Sequence, residues 1–159
     1  MADWQDLNLA KATFATLCRM LDENDWHYQK DEEKLSLECS ARGDDLPIAL
    51  DFRIDTERML ILLISHLPYV IPEDKRLDVA IAVSVANDTL AHGCFDFDMQ
   101  SGHMFFRMAN SFIESQIGEE LFFYLLMAAC HTVDDYNDKF LMLGKGMITM
   151  EQFLGSLSE

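Results

Sequence analysis

The sequence has few basic residues, and this shortage limits the classes of partner that the protein can have. Twelve lysines and arginines stand against 28 aspartates and glutamates in 159 residues, and the formal net charge is -16. A charge of this sign repels nucleic-acid phosphates and anionic lipid at long range. We therefore expect neither a nucleic-acid partner nor a membrane partner.

Long apolar runs and a basic leader are also missing. The longest uncharged apolar runs, Met59–Pro72 and Leu121–Val133, are shorter than the ~20 residues that span a bilayer. The first residues are acidic and lack the basic region and apolar stretch of a secretory signal. These features predict a cytoplasmic protein.

Motifs that carry catalysis or hold a cofactor are absent as well. No Gly-x-Ser-x-Gly elbow occurs, and the seven glycines form neither a phosphate-binding P-loop nor a dinucleotide fingerprint. The cysteines are widely separated, which indicates reduced thiols: Cys18, Cys39, Cys94 and Cys130. We expect no cofactor and no enzymatic activity, with an enzyme of unrecognised type as an alternative.

The first half of the chain predicts one helix followed by a sheet. Apolar residues at steps of three and four predict a helix from about Trp4, with Asp3 as its cap, to about Asn24. Alternating or continuous apolar segments then predict four strands at 26–29, 35–39, 48–54 and 59–67. Pro68 is expected to follow the last of these strands.

The second half predicts a helix, a hairpin and a long helix. The middle helix is expected from Pro72 to His92, with Gly93 as its left-handed stop. Strands at 93–98 and 104–108 flank the turn 99–102. The long helix ends near Gly144 and Gly146, with an apolar stripe that consists of Ile117, Leu121, Leu125, Ala128, Thr132, Tyr136 and Phe140.

A short tail helix is expected after the long helix. Thr149 and Gln152 have the spacing of a capping box, and Phe153 would face inward. The order of elements predicts an α+β fold: helix, antiparallel β meander, helix, β hairpin and long C-terminal helix. We expect a single domain at 1–145, with 146–159 as a tail helix that packs on the domain or on a partner.

Three residues around the hairpin offer an alternative function. His92 and Cys94 are soft metal ligands two residues apart, and His103 could lie near them across the hairpin. This set would make the protein a metal- or small-ligand-responsive regulator. The spacing matches no established metal site, so we favour a structural role for these residues and predict no metal.

Short motifs give the chain a family resemblance. Ile71-Pro72-Glu73-Asp74-Lys75-Arg76, Ala86-Asn87, Gly93-Cys94-Phe95-Asp96-Phe97-Asp98, Ser101-Gly102 and Phe105-Phe106-Arg107 resemble the YbjN family, over roughly residues 7–143. Members of this family are described as chaperone-like proteins or regulators, and their fold resembles that of type III secretion chaperones. The resemblance brings no catalytic residues.

The resemblance also implies an oligomer and a type of partner. It implies a homodimer in which the middle helix forms part of the interface, and that helix has two apolar faces in this sequence. The expected interface residues are Leu77, Ile81, Val83 and Val85. The predicted function is a non-enzymatic chaperone-like or regulatory module that holds a segment of a partner protein.

Overall fold

The computed structural model describes residues 4–157, so Asp3, the expected cap of the first helix, lies outside the described residues. Helix α1 spans Trp4–Glu23 and buries one side, which includes Phe14 and Leu17. Its apolar residues recur every three or four positions, and this is why a single side faces the core. The first helix is therefore placed as its periodicity predicts.

Six strands follow and form one antiparallel sheet. They are β1 (Tyr28–Asp31), β2 (Ser36–Arg42), β3 (Pro47–Asp55), β4 (Leu60–Val70), β5 (Cys94–Phe97) and β6 (His103–Ser111). The strand order is β1-β2-β3-β4-β6-β5, so the first four strands form a meander and the hairpin joins it through β6. The predicted meander and hairpin are both confirmed.

The remaining helices complete the α+β fold. They are α2 (Arg76–Thr89), which follows a single 3-10 turn at Glu73–Lys75, α3 (Glu119–Gly144) and α4 (Met150–Ser156). Contacts join α1 to β3, α2 to β5, and α3 to β3, β4 and β6. Along β3, Leu50 and Phe52 are buried while Ala49 and Arg53 are exposed. The helices therefore cover one face of the sheet and leave the opposite face open.

Strand β4 is longer than its apolar run predicts. It continues through Pro68 and Tyr69 to Val70, and its pairing with β6 shifts register between His66 and Val70. Proline has no N–H to donate to a ladder, so an irregularity is expected where it occupies a strand. Pro68 interrupts the pairing with β6 without ending the strand.

Helix α2 is shorter than predicted. It ends at Thr89, and Leu90 is already extended, with φ -88° and ψ 124°. Gly93 has the expected positive φ of 83°, but it leads into β5. A Cβ at Gly93 would lie 2.4 Å from the Phe106 ring, so close packing on the sheet explains the glycine better than a helix stop does.

The buried side of α3 differs from the predicted stripe. Leu125 and Phe140 are buried as expected, whereas Ala128 and Tyr136 are only half-buried. The other buried residues of this helix are Phe122, Leu126, Ala129, Val133, Asn137, Leu143 and Gly144. Because α3 contacts α1 and α2 as well as the sheet, its buried band is wider and rotated from the stripe.

None of the described helices, α3 included, is both long enough and apolar enough to cross a membrane.

Helix α4 begins with the predicted capping box. The Gln152 N–H donates to the Thr149 hydroxyl at 3.2 Å, and the Thr149 N–H donates to the Gln152 side chain at 2.9 Å. Phe153 is fully buried, with its ring 5.4 Å from that of Phe140. The helix also contacts α2, so the tail contributes to the core.

Candidate protein-binding site

The four expected interface residues of α2 do not share one surface. Leu77 and Ile81 are exposed at 66% and 48%, and Val85 is half-buried. Val83 is only 7% exposed and belongs to the core of the monomer. Its side chain points toward the interior with Val79 and not outward with Leu77 and Ile81.

The three proposed metal ligands are not brought together. His92 packs against α3, where its Nδ1 lies 3.3 Å from the Tyr124 hydroxyl and the two rings stack at 5.7 Å. Cys94 pairs with Arg107 across β5 and β6. His103 lies four residues from Arg107 along β6, a separation of roughly 13 Å at the rise of a strand.

The register therefore contradicts the metal-responsive alternative. Cys94 and His103 lie at opposite ends of the hairpin because the strands pair directly across the turn. Among residues 4–157, no group of three or more His, Cys, Asp or Glu side chains could hold a metal ion. His92, Cys94 and His103 therefore cannot be ligands of one metal ion in this fold.

The sheet has two outer edges, and on the one formed by β5 a side chain occupies the outward backbone groups of Phe95. The Asn87 amide, on α2, donates to the Phe95 carbonyl at 2.9 Å, and its oxygen accepts from the Phe95 N–H at 2.8 Å. These are the two hydrogen bonds that a further strand would form with Phe95. Asn87 thus occupies the place of a neighbouring strand.

The other edge, formed by β1, is open. Along an antiparallel pair of strands, successive residues alternate. One residue exchanges backbone N–H and C=O hydrogen bonds with the residue opposite, and the next directs its N–H and C=O away from the partner strand. The Ile54 N–H donates to the Leu35 carbonyl at 2.9 Å, which sets this alternation between β2 and β3. The registers of β2 with β3 and of β1 with β2 extend this alternation to β1. The backbone N–H and C=O groups of Tyr28 and Lys30 consequently point away from β2. No described residue forms a backbone hydrogen bond with them.

A groove of about 1290 Å³ lies beside this open edge. It is bounded by α1, by Lys30 of β1, and by the turns that join β1 to β2 and β3 to β4. Phe14 and Ile54 line it on the helix-covered side, and Leu62 lines it on the open face of the sheet. The groove therefore passes around the end of the sheet from one face to the other.

The charge of the groove differs from that of the remaining surface. Six of the twelve basic residues of the chain line it, but only five of the 28 acidic ones do. The basic residues are Lys11, Arg19, Lys30, Lys34, Arg53 and Arg58. The groove is consequently close to neutral, while the excess negative charge lies elsewhere.

The cysteine of the groove is not activated as a nucleophile. This residue, Cys18, has a raised pKa because burial disfavours the thiolate, and the hydrogen bond with Tyr28 offsets only part of this effect. A thiol that stays protonated is a weak nucleophile. Cys18 therefore stays protonated and unreactive in this position.

Sequence reasoning did not find this groove. Its residues come from α1 and two separate turns, which meet only after the meander has formed. The available signal was the concentration of basic residues at Lys30, Lys34, Arg53 and Arg58 in an acidic chain. The residues that lie opposite them across the groove could not be identified without the strand register.

Comparison with known proteins identifies the family and the fold. The family model "YbjN: Putative bacterial sensory transduction regulator" matches residues 13–142. The crystal structure of YbjN from E. coli, described as "a putative transcription regulator", aligns with TM-score 0.59 and 13% identity over 76% of this chain and 85% of that chain. No curated protein matches the sequence.

Two solved complexes are also similar. The ExsC–ExsE complex aligns with TM-score 0.52 and 14% identity over 79% of this chain and 90% of that chain. The HopA1–SchA chaperone–effector complex gives TM-score 0.49 and 17% identity over 92% and 97%. The similarity to the ExsC–ExsE complex confirms the predicted type III secretion chaperone-like fold.

Proposed function

Because the chain belongs to the YbjN family, we propose that it is a non-enzymatic, chaperone-like protein that holds an extended segment of a partner protein. We place it in the cytoplasm, and its four free cysteines suit a reducing compartment. The fold that it shares with ExsC supports this proposal, since ExsC is found in complex with ExsE.

The observation that carries the proposal is the difference between the two edges of the sheet. Asn87 occupies the outward backbone groups of Phe95 on the β5 edge, whereas those of Tyr28 and Lys30 on β1 have no such partner among the described residues and lie beside the groove. An unpaired strand edge is a template for another extended chain. A partner segment would therefore add to β1.

Binding at this edge uses two kinds of contact. The segment would exchange main-chain hydrogen bonds with Tyr28 and Lys30, and these bonds do not depend on its sequence. Successive side chains of a strand point to opposite faces, so alternate side chains of the segment would face the side of β1 on which the groove and α1 lie. The groove would thus supply the selectivity that the edge lacks.

The test is a proline at the open edge. Lys30→Pro removes an outward-facing N–H that β2 does not use, and proline is tolerated at such a position of an edge strand. Lys30→Ala is the matched control, because it removes the same side chain and its ion pair with Glu32 but keeps the N–H. Short random peptides displayed on phage would be selected on the wild type, and their affinities for all three proteins measured by fluorescence anisotropy.

We expect selected peptides to bind the wild type and Lys30→Ala and to lose binding to Lys30→Pro. Circular dichroism of the proline variant checks that the fold is retained. Equal binding to Lys30→Pro and Lys30→Ala by every selected peptide would show that the open edge is not used.

We propose further that the exposed side of α2 forms a homodimer interface. Leu77 and Ile81 are large apolar side chains left uncovered on one side of this helix, with Val85 half-buried beside them. A stable interface buries about 800 Å² on each partner, so neighbouring elements would have to contribute as well. The family resemblance supports a dimer built on this helix.

The solution mass tests the dimer. In light scattering we expect the wild type to be a dimer and Leu77→Asp with Ile81→Asp to be a folded monomer. Ile113→Asp with Phe123→Asp is the control, since it introduces the same charge at two other exposed apolar positions. A monomeric wild type, or dissociation by both pairs alike, would contradict the proposed interface.

A further inference from the structure

Helix α2 is too small to form a dimer interface by itself. A standard interface contains about 20–30 residues on each side. α2 has 14 residues and four of them are buried, so at most ten are available to a second copy of the chain. A dimer built on this helix therefore needs a further element on the same surface.

The charge of the chain limits where two copies can meet. Each copy has a net charge of -16, so two copies repel each other, and contact between them is favoured where charged residues are scarce. Residues 79–87 of α2 include no charged residue, although 25% of the chain is charged. The middle of α2 is thus suited to contact with a second copy.

Among the main neighbours of α2, helix α4 has the lowest share of charged residues. These neighbours are α3, β5, the 3-10 turn and α4. Charged residues are six of the 26 residues of α3, one of the four of β5, all three of the turn and one of the seven of α4. The charged residue of α4 is Glu151, and segment 146–157 contains no other. The lack of charge in α2 is therefore shared by the tail.

The position of α4 follows from the contacts of α2 and α3. Ile81, Val85 and Thr89 recur at four-residue steps and so lie on one side of α2. The Thr89 hydroxyl lies 2.8 Å from the Tyr136 hydroxyl of α3, so this side of α2 is the one nearer to α3. Helix α4 contacts both α2 and α3. It therefore lies on the same side of α2 as Ile81 and Val85.

Two apolar side chains of the tail are exposed next to α2. The segment between α3 and α4 lies at the start of α2, because a Cβ at Gly146 would be 3.7 Å from Cε of Lys75. Met147, the following residue, is 67% exposed. On α4, Phe153 is fully buried, whereas Leu154 is 40% exposed. Phe153 thus holds α4 on the core and leaves Leu154 on the outer side.

Resting on the proposed dimer, we infer that α4 and the segment before it complete the α2 interface with a second copy of the chain. Met147 and Leu154 of one protomer become buried against the other protomer, together with Leu77 and Ile81. In a two-fold dimer the same surface serves both copies and must be complementary to itself. An apolar surface with little charge meets this requirement, whereas a surface of one charge would face the same charge. Because the family model ends at residue 142, this contribution lies outside the family match.

Sedimentation equilibrium of the full-length protein measures the dimer dissociation constant and tests the inference. Met147→Asp with Leu154→Asp places two negative charges in the tail, and Met147→Lys with Leu154→Lys places two positive ones there. The lysine pair lowers the net negative charge of the chain, so it separates burial of these side chains from general repulsion. Met147→Ala with Leu154→Ala removes apolar surface without adding charge. Circular dichroism checks that each variant is folded.

Two further pairs of substitutions are measured in the same way. Leu77→Asp with Ile81→Asp reports on α2. Ile113→Asp with Phe123→Asp is the control, because it adds the same charge as the aspartate pair at exposed apolar positions outside the proposed surface.

We expect the wild type to be a dimer that both charged tail pairs dissociate. Each should raise the dissociation constant at least about 100-fold, because burying an unpaired charge is costly and every substitution occurs in both copies. The alanine pair should raise it about tenfold, since it removes only apolar contact. The control pair should change it by less than about threefold.

Other results would overturn the inference in distinguishable ways. If the α2 pair dissociates the dimer and the tail pairs do not, the tail lies outside the interface and the α2 interface stands. If the aspartate pair in the tail weakens the dimer but the lysine pair does not, general repulsion explains the effect. Loss of the phage-selected peptides from the tail variants without dissociation would assign Met147 and Leu154 to the partner segment. A monomeric wild type refutes the dimer itself, and the inference with it.

Discussion

The side-chain amide of Asn87 pairs with the backbone of Phe95 through two hydrogen bonds, of 2.9 Å and 2.8 Å. An amide side chain has one donor end and one acceptor end, and it can therefore replace one residue of a missing strand. The pairing ties α2 to β5 and removes the outermost free backbone groups of Phe95. A strand could therefore not pair with Phe95 while Asn87 is in place.

Replacing Asn87 should destabilise the protein and expose the β5 edge. Asn87→Ala loses two partly buried hydrogen bonds, and we expect the free energy of unfolding to fall by about 2 kcal/mol. The variant should also self-associate as its concentration rises, because an unprotected edge can pair with another chain. Urea denaturation and light scattering measure the two effects. Asp88→Ala, on the exposed side of the same helix, is the control, and equal stability of the two variants would contradict the role of Asn87.

Gly102 should tolerate no side chain. Its φ is 80°, and a Cβ would lie 2.4 Å from the Ile71 carbonyl oxygen. We expect Gly102→Ala to lose at least about 2 kcal/mol of stability, because backbone strain and a clash with main chain act together. Gly155→Ala is the control, since a Cβ there meets nothing within 4 Å and the residue is helical. A thermal melt that ranks the two variants equally would contradict this account.

A buried amide on α3 should be replaceable with a gain in stability. The side-chain nitrogen and oxygen of Asn137 are fully buried and have no hydrogen-bond partner among the described residues. Burying an amide without partners is costly, so we expect Asn137→Leu to raise the free energy of unfolding by about 1–3 kcal/mol. Its backbone carbonyl, which accepts from the Tyr69 hydroxyl at 2.6 Å, is unaffected.

Chemical denaturation of Asn137→Leu measures this change. Ser65→Ala removes a buried hydroxyl that also lacks a hydrogen-bond partner among the described residues, and a smaller gain is expected from it. A loss of stability in Asn137→Leu would show that the amide is hydrogen-bonded in solution.

Two thiols should make the stability fall at high pH. Burial raises the pKa of Cys39 to about 12 and that of Cys130 to about 11, from an ordinary 9.0. The folded state therefore retains these protons more tightly than the unfolded state does. Their contribution is fully present below about pH 9 and is lost as the pH rises toward 11 and 12.

The double variant Cys39→Val with Cys130→Val isolates this contribution. Its free energy of unfolding, measured by urea denaturation between pH 8 and pH 11, should decline less steeply than that of the wild type. The tyrosines Tyr28 and Tyr69 also have pKa values raised by burial, and they remain in both proteins. Identical slopes would mean that the thiols are not buried in solution.

The fold class and the order of elements could be predicted from the sequence, because the family motifs lie where separate elements meet. The Arg76 guanidinium donates to the carbonyls of Met99, Gln100 and Ser101 in the hairpin turn and to that of Ile71. Gly102 lies against Ile71 from the other side. Periodicity and turn residues located the elements, and these motifs identified how they are joined.

What the sequence could not supply depends on how elements pack. Val83 and Leu77 are equally apolar, and only the position of α2 on the sheet decides that Val83 is core and Leu77 is exposed. The separation of Cys94 from His103 follows from strand register, which a spacing of residues does not encode.

The strand order also has a consequence for the rate of folding. Strands β1 to β4 pair with sequence neighbours, so the meander can form by closing short loops. The central pairing of Ile64 with Arg107 instead joins positions about forty residues apart, with α2 and the β5 strand between them. Closing that loop costs more conformational entropy than any hairpin does, and contacts between distant residues form slowly. We therefore expect the docking of β6 against β4 to limit the folding rate. Substitutions at the contact between these two strands should slow refolding more than substitutions in β1 or β2.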